Sequence, residues 1–252
     1  MRISVIIPTY NESGTIGTLL DEVRVALKLM PRHEWIVLVV DGHSTDGTAR
    51  IVREKAGRDA TIRLVEESEK RGIGFAYLTG INHVLHVLHT DAFIEFDGDG
   101  QHDPRDISRL VARMEEGYDY VIGSRYVKGG SVPKEWAWHR KLLSRFGSMY
   151  ARLLLGLPVR DVTSGFRLTR AAGLQDRIPL TPEGLLSWQY AYKIQLLVGM
   201  VESGARVAEV PITFRSREHD ASKSTWRDII ESLKVTSILW LRKFHVSKTA
   251  ST

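Results

Sequence analysis

Apolar and polar positions fall into alternating blocks along the first half of the chain, and the blocks switch between two periods. ISVIIP (3–8), WIVLVVD (35–41), TIRLVEE (61–67), AFIEF (92–96) and DYVIGS (119–124) are short, nearly continuous apolar runs, the pattern of strands in a sheet covered on both faces. Between them, residues 13–30, 44–58, 73–88 and 104–117 carry helical signals. Ser44 stands where it can cap the second of these helices, and Asp103-Pro104 reads as a cap followed by proline at the first helical position. Strand–helix alternation predicts an α/β domain with a Rossmann-like, mostly parallel central sheet and helices on both faces.

The second half is less regular. A helix is expected from about Pro133 to Leu155, closed by Gly156 and Pro158, and another over residues 183–203. ARVAEVPITF (205–214) is strand-like. A last amphipathic helix, about 224–245, places Trp226, Ile230, Leu233, Ser237, Leu241 and Phe244 on one face, with Arg242, Lys243 and Lys248 near its end. We therefore expect one domain over residues 1–223 and a C-terminal amphipathic helix and tail over 224–252, either packed on the core or lying in a membrane interface.

Residues 72–90 form the longest stretch without Asp, Glu, Lys or Arg, but three glycines, three histidines and an asparagine make it a buried helix rather than a membrane span. MRISVIIPTY reads as a first strand, not a signal peptide. The absence of cysteine excludes thiolate catalysis, disulfides and zinc–thiolate sites. A net charge of +5 suits phosphorylated or lipid partners as well as nucleic acid. No zinc-finger or RNA-binding signature accompanies it, so nucleic acid is not expected.

In a parallel sheet, ligands sit at the carboxyl ends of the strands. Three polar loops fall there: PTYNES, DGHSTDGT and FDGDGQHDP. In the last, Asp97 and Asp99 can face one hard cation, with the Gln101 carbonyl as a further ligand. An all-oxygen set suits Mg²⁺ or Mn²⁺ holding a diphosphate. An EF-hand is excluded, because His102 and Ser108 occupy the positions that need glycine and glutamate.

VIIPTYNE, VDGHSTDGT, DGDGQHDP, GSRYVKGG and DVTSGFR, in this order, resemble the family-2 glycosyltransferases of the GT-A fold. More narrowly, they resemble the dolichol- or polyprenol-phosphate mannose synthases. The resemblance implies a metal-dependent, inverting transfer of mannose from GDP-mannose to a polyprenyl (dolichyl) phosphate. It assigns Pro8, Tyr10, Glu12, Asp41, Asp97, Gly98 and Asp99 to the nucleotide sugar, and Asp97, Asp99 and Gln101 to the metal. Ser124, Arg125 and Arg140 fall to the acceptor phosphate, and Asp99, Arg125, Arg217 and Lys223 to the catalytic set. Arg167 has two readings, a ligand role or an ion pair with Asp161. One departure stands out: where the family reads DDGS, this chain reads Asp41-Gly42-His43-Ser44. The second acid, which often contacts the base, is missing, and His43 is the side chain available to replace it.

The resemblance further implies peripheral association with the cytoplasmic face of a membrane. Attachment would come through the last helix, through WAWHRKLL (136–143), or through a membrane-anchor subunit. Two other readings remain open: transfer from UDP-glucose or UDP-N-acetylglucosamine to the same lipid, and a non-catalytic nucleotide- or lipid-surface-binding protein.

Overall fold

Among the described residues, seven strands hydrogen-bond into one sheet in the order β3-β2-β1-β4-β6-β5-β7. The strands are β1 (Arg2–Thr9), β2 (Glu34–Asp41), β3 (Ile62–Glu66), β4 (Ala92–Glu95), β5 (Tyr120–Ser124), β6 (Arg167–Arg170) and β7 (Val207–Pro211). The helices are α1 (Ile16–Lys28), α2 (Thr48–Ala56), α3 (Ile73–His86), α4 (Ile107–Glu115), α5 (Trp138–Leu155), α6 (Tyr192–Glu202) and α7 (Trp226–Thr249). This computed structural model describes residues 1–174, 177–178, 180–216 and 226–249, the side chains of 244–249 excepted.

Strand pairing is parallel except at β6, which runs antiparallel to both β4 and β5. Alternate side chains feed two separate cores, as the two-residue strand period requires. Ile6, Leu38, Val40, Phe93 and Ile122 join the layer that holds buried residues of α3, α5, α6 and α7. Ile3, Val5, Ile7, Val37, Val39 and Ile94 join the layer of α1, α2 and α4. The sheet is covered on both faces, as its apolar runs predict. No described helix is long and apolar enough to cross a membrane.

Several element expectations need correction. Ser44 does not cap α2; the cap residue is Gly47, and the Asp46 carboxylate accepts from the Thr48 amide at 3.0 Å. Asp103 does cap, accepting from the Arg105 amide at 3.0 Å at the head of a 3-10 turn that leads into α4. Helix α5 starts at Trp138, not Pro133, because Ala137 is extended (ψ 144°). The expected helix over 183–203 shrinks to α6. Upstream of it, the Gln195 side chain accepts from the Leu186 amide and donates to the Gly184 carbonyl, both at 2.7 Å, and the Trp188 carbonyl accepts from the Gly74 amide. Those bonds take the backbone groups that a longer helix would use internally.

β6 had no counterpart in the sequence reading. Its four residues, RLTR, include two arginines, yet Arg167 is fully buried. Four acceptors make this tolerable: the carbonyls of Ser164, Val162 and Lys193, and the Tyr120 hydroxyl.

The face expected to be apolar on α7 is the exposed one. Trp226, Ile230, Leu233 and Leu241 are exposed, while Val235, Thr236 and Leu239 are buried. α7 packs against α5 and α6. Phe244 and Lys248 have side chains outside the description. The Lys243 ammonium donates to the Leu155 carbonyl at 2.6 Å.

Candidate functional site

The loops after β1 and β2 are stitched to one another by side chains. The Asn11 amide donates to the Ser44 hydroxyl at 2.8 Å, and the Thr45 amide donates to the Asn11 side-chain oxygen at 2.9 Å. The Glu12 amide reaches the Thr48 hydroxyl and the Ser13 amide reaches Asp46, both at 2.9 Å. Asn11 and His43 hold positive φ (54° and 66°), a strained conformation that such bonds maintain. Asp41 is buried and organises this junction, accepting from Thr9, from the Ser44 hydroxyl (2.6 Å) and from the Ser44 amide (2.8 Å).

Over these loops and the aspartate loop lies an open cleft with a free volume of about 170 Å³. Pro8, Tyr10, Glu12, Asp97, Gly98 and Asp99, all expected at the nucleotide sugar, line it. Asp41 does not; it acts from behind the wall. Gln101 does not line it either. Its side-chain amide donates to the Arg215 carbonyl at 3.2 Å, and its backbone amide donates to Asp99 at 3.1 Å. Both bonds use its N–H groups and brace the loop.

Asp97 is held by groups from three other segments. Its Oδ1 accepts from the Tyr77 hydroxyl at 2.7 Å and lies 3.3 Å from the Lys193 ammonium, whose side chain is 2% exposed. The His102 ring stands 3.4 Å from Oδ2. Burial opposes a charge on Asp97, but the Lys193 ammonium and the donors around the carboxyl outweigh it, holding the group ionised well below the usual carboxylate range. Gly165 makes the arrangement sterically possible, since a Cβ there would come within 2.3 Å of Asp97 Oδ2.

Beneath Asp97 lies Glu95, fully buried, which accepts from the Tyr192 hydroxyl. Burial raises its carboxyl, against the pull of Arg167 and Lys193. Lys193, Tyr77 and Glu95 were all missed at the sequence level. The signal available for Lys193 was a lone lysine inside an otherwise apolar helical run.

The expected acceptor-side residues are arranged differently. Arg125 forms a two-pronged pair with Asp161 (Nε to Oδ2 and Nη2 to Oδ1, both 2.7 Å) and donates to Thr163 at 2.9 Å. The ion pair considered for Arg167 and Asp161 is therefore made by Arg125, which links two loops. Ser124 is buried at the end of β5, and Arg140 lies over the Trp136 ring at 4.0 Å. None of the three lines the cleft. Arg217 and Lys223 lie outside the described residues.

The donor set fits a hard divalent cation. Asp99 offers a carboxylate at the cleft wall, and Asp97 a carboxylate kept charged beside it. Among the described residues no three His, Cys, Asp or Glu converge, so an ion here would complete its shell with water and ligand oxygens.

Residues 4–177 match the family profile described as glycosyl transferase family 2. The chain is 37% identical to the polyprenol monophosphomannose synthase of Mycolicibacterium smegmatis over 92% of its own length and 84% of that protein. It is 36% identical to the undecaprenyl-phosphate mannosyltransferase of Micrococcus luteus, over 88% and 87% respectively. Among solved structures it resembles a mannosyltransferase from Pyrobaculum calidifontis in complex with GDP-Man and Mn²⁺, with a TM-score of 0.58 at 20% identity, covering 91% of this chain and 60% of that one.

Proposed function

We propose, for a chain that belongs to glycosyl transferase family 2, the transfer of a mannosyl group from GDP-mannose to a polyprenyl phosphate. The observation that carries this reading is the near full-length identity of 36–37% with two proteins named for mannosyl transfer in polyprenyl-phosphate chemistry. The cleft supports it: every nucleotide-sugar residue expected there lines the wall except Asp41.

Asp99 and Asp97 would hold Mg²⁺ or Mn²⁺, which when bound neutralises the donor diphosphate as it leaves. The Pyrobaculum structure with Mn²⁺ supports a divalent ion of this kind. Lys193 keeps Asp97 charged and in place. Tyr10 and Pro8 form the wall for the nucleoside. The acceptor is a phosphate monoester, largely dianionic at neutral pH with a second pKa near ~6. It needs no strong general base, only cations that let two anions approach. Arg217 and Lys223 take that role in this reading. Attack by the phosphate oxygen on the anomeric carbon, with departure of GDP, inverts the configuration.

A lipid acceptor places the enzyme at a bilayer surface. Trp138, Leu142, Phe146, Met149 and Leu153 form an exposed apolar stripe at helical spacing on α5, interleaved with Lys141, Arg145 and Arg152. The exposed residues of α7 form a second stripe. These faces favour peripheral binding at the cytoplasmic leaflet, directly or with an anchor subunit.

The test is a donor panel. The protein, Mg²⁺ or Mn²⁺ and a polyprenyl phosphate are incubated with labelled GDP-mannose, UDP-glucose or UDP-N-acetylglucosamine, then extracted into organic solvent. Label in the lipid phase from GDP-mannose alone is expected. Label only from a UDP-sugar would overturn the donor, and nucleotide binding without any transfer would overturn the enzyme reading.

A further inference from the structure

Among the described residues, one carboxylate oxygen at the cleft has nothing to accept from. Glu67 follows β3 directly and is 7% exposed. Its backbone amide donates to the Asp41 carbonyl at 2.9 Å, which ties it to the end of β2. Its Oε1 accepts from the Thr79 hydroxyl of α3 at 2.8 Å. Its Oε2 is buried and has no hydrogen-bond partner among the described residues. A buried acceptor left in this state is unfavourable and points to a ligand that supplies the missing donor.

Oε2 faces the position where the sequence departs from its family. Gly42 and Glu67 line the same cleft as Asp97 and Asp99. A Cβ added at Gly42 would lie 3.7 Å from Glu67 Oε2 and 3.4 Å from the Thr9 carbonyl. The missing side chain therefore leaves no Cβ beside the unpaired oxygen. His43, the side chain expected to compensate, is exposed and does not line the cleft.

We propose that Glu67 reads the Watson–Crick edge of guanine in the bound nucleotide, and that Gly42 leaves the room a purine needs. The inference rests on the GDP-mannose reading and names the side chain that enforces it. Guanine presents two adjacent donors, N1–H and the 2-amino group, which a carboxylate accepts side by side. Oε2 has its full capacity, and Oε1 keeps a lone pair beyond the one used by Thr79. Uracil offers one N–H between two carbonyls, so one carboxylate oxygen would face a carbonyl instead of a donor. Adenine places an acceptor, N1, against the carboxylate. Burial raises the Glu67 carboxyl, opposed by the Thr79 hydrogen bond and by Arg71, as suits a group that lacks donors until a ligand arrives.

Calorimetric titration of the full chain, with Mn²⁺ present, tests this with four nucleotides: GDP, inosine diphosphate (no 2-amino group), xanthosine diphosphate (a carbonyl at that position) and UDP. The unmodified protein should bind GDP about tenfold or more tightly than inosine diphosphate. Glu67→Gln should lose about tenfold to a hundredfold in GDP affinity and gain affinity for xanthosine diphosphate, whose extra carbonyl accepts from the new amide. That gain cannot come from a misfolded variant. Glu67→Ala should bind GDP and inosine diphosphate alike. If Glu67→Gln keeps the full preference for GDP over the inosine and xanthosine analogues, the assignment of Glu67 is overturned while the donor stands. If the unmodified protein prefers UDP to GDP, both fall.

Discussion

The two halves of the sheet support the cleft by opposite means. On the β1–β2 side, polar loop residues hold one another at the surface through short side-chain-to-amide bonds, as between Asn11, Ser44, Asp46 and Thr48. On the β6 side the support is a buried charged scaffold, in which Lys193, Arg167 and Glu95 lie under the aspartate loop with almost no exposure. The outer surfaces differ too. α5 and α7 carry rows of exposed apolar residues, whereas the large exposed apolar side chains of α1 to α4 are confined to Val25. In the proposed reading, one half shapes the nucleotide pocket from local sequence. The other would position a metal-binding carboxylate from a distance and present a surface for lipid.

Removing the Asp99 carboxylate from the cleft wall should have the largest effect. Asp99→Ala is expected to reduce lipid-phase label from GDP-mannose by about a hundredfold or more, with an unchanged circular dichroism spectrum. Near-normal turnover would refute the role given to Asp99.

The link between the halves is tested by Lys193→Met, which leaves Asp97 buried without its counter-charge. A loss of about 3 kcal/mol in urea unfolding is expected, and Asp97→Asn in the same chain should recover part of it. A loss under about 1 kcal/mol would mean that solvent, not Lys193, compensates Asp97.

The aspartate loop should also show an acid limb. Burial works against the Asp103 charge, but the hydrogen bonds from Arg105 and Arg215 prevail, lowering the carboxyl from 3.8 to about 2. Because the folded value lies below the unfolded one, the stabilisation is complete above pH ~4 and disappears as pH falls through about 2. With Arg105 well exposed, about 1 kcal/mol is expected after screening. Denaturant midpoints measured from pH 5 to 2 should show that much less acid loss in Asp103→Asn than in the unmodified chain.

The smallest stability effect belongs to the exposed apolar stripe of α5. Phe146→Glu with Leu153→Glu should change unfolding free energy by no more than about 0.5 kcal/mol, yet reduce flotation with anionic vesicles. Unchanged flotation would remove α5 from the membrane-binding surface.

The same division decided what could be read in advance. β1, β4 and β5 follow from apolar runs that are almost wholly buried, and β2 and β3 from runs buried in part, so pattern and structure coincide. Asp97 and Asp99 were legible as a pair on a loop at a strand end. Glu67 was not, because an acid after a strand looks like any solvated turn until α3 packs Thr79 against it. β6 escaped because a buried arginine breaks the apolar pattern that marks a strand. What makes it tolerable, carbonyls at Val162, Ser164 and Lys193 and the Tyr120 hydroxyl, is set by tertiary packing. Arg125 and Arg140 have the residue type that phosphate needs, but type alone does not say what else each side chain meets. Arg125 is held by Asp161, which lies far from it in sequence.

The antiparallel strand β6 also bears on how the chain is made. β4 emerges from the ribosome with one side already matched by β1. Its other side waits until the whole stretch between Glu95 and Arg167 has been synthesised. During that interval Ala92, Phe93 and Ile94 present an open, apolar strand edge of the kind that recruits foreign strands. The residues that finally meet across the seam, Glu95 and Arg167, are register partners of opposite charge. A strand shifted by one position would bury each of them without the other, so the seam carries its own check on correct closure.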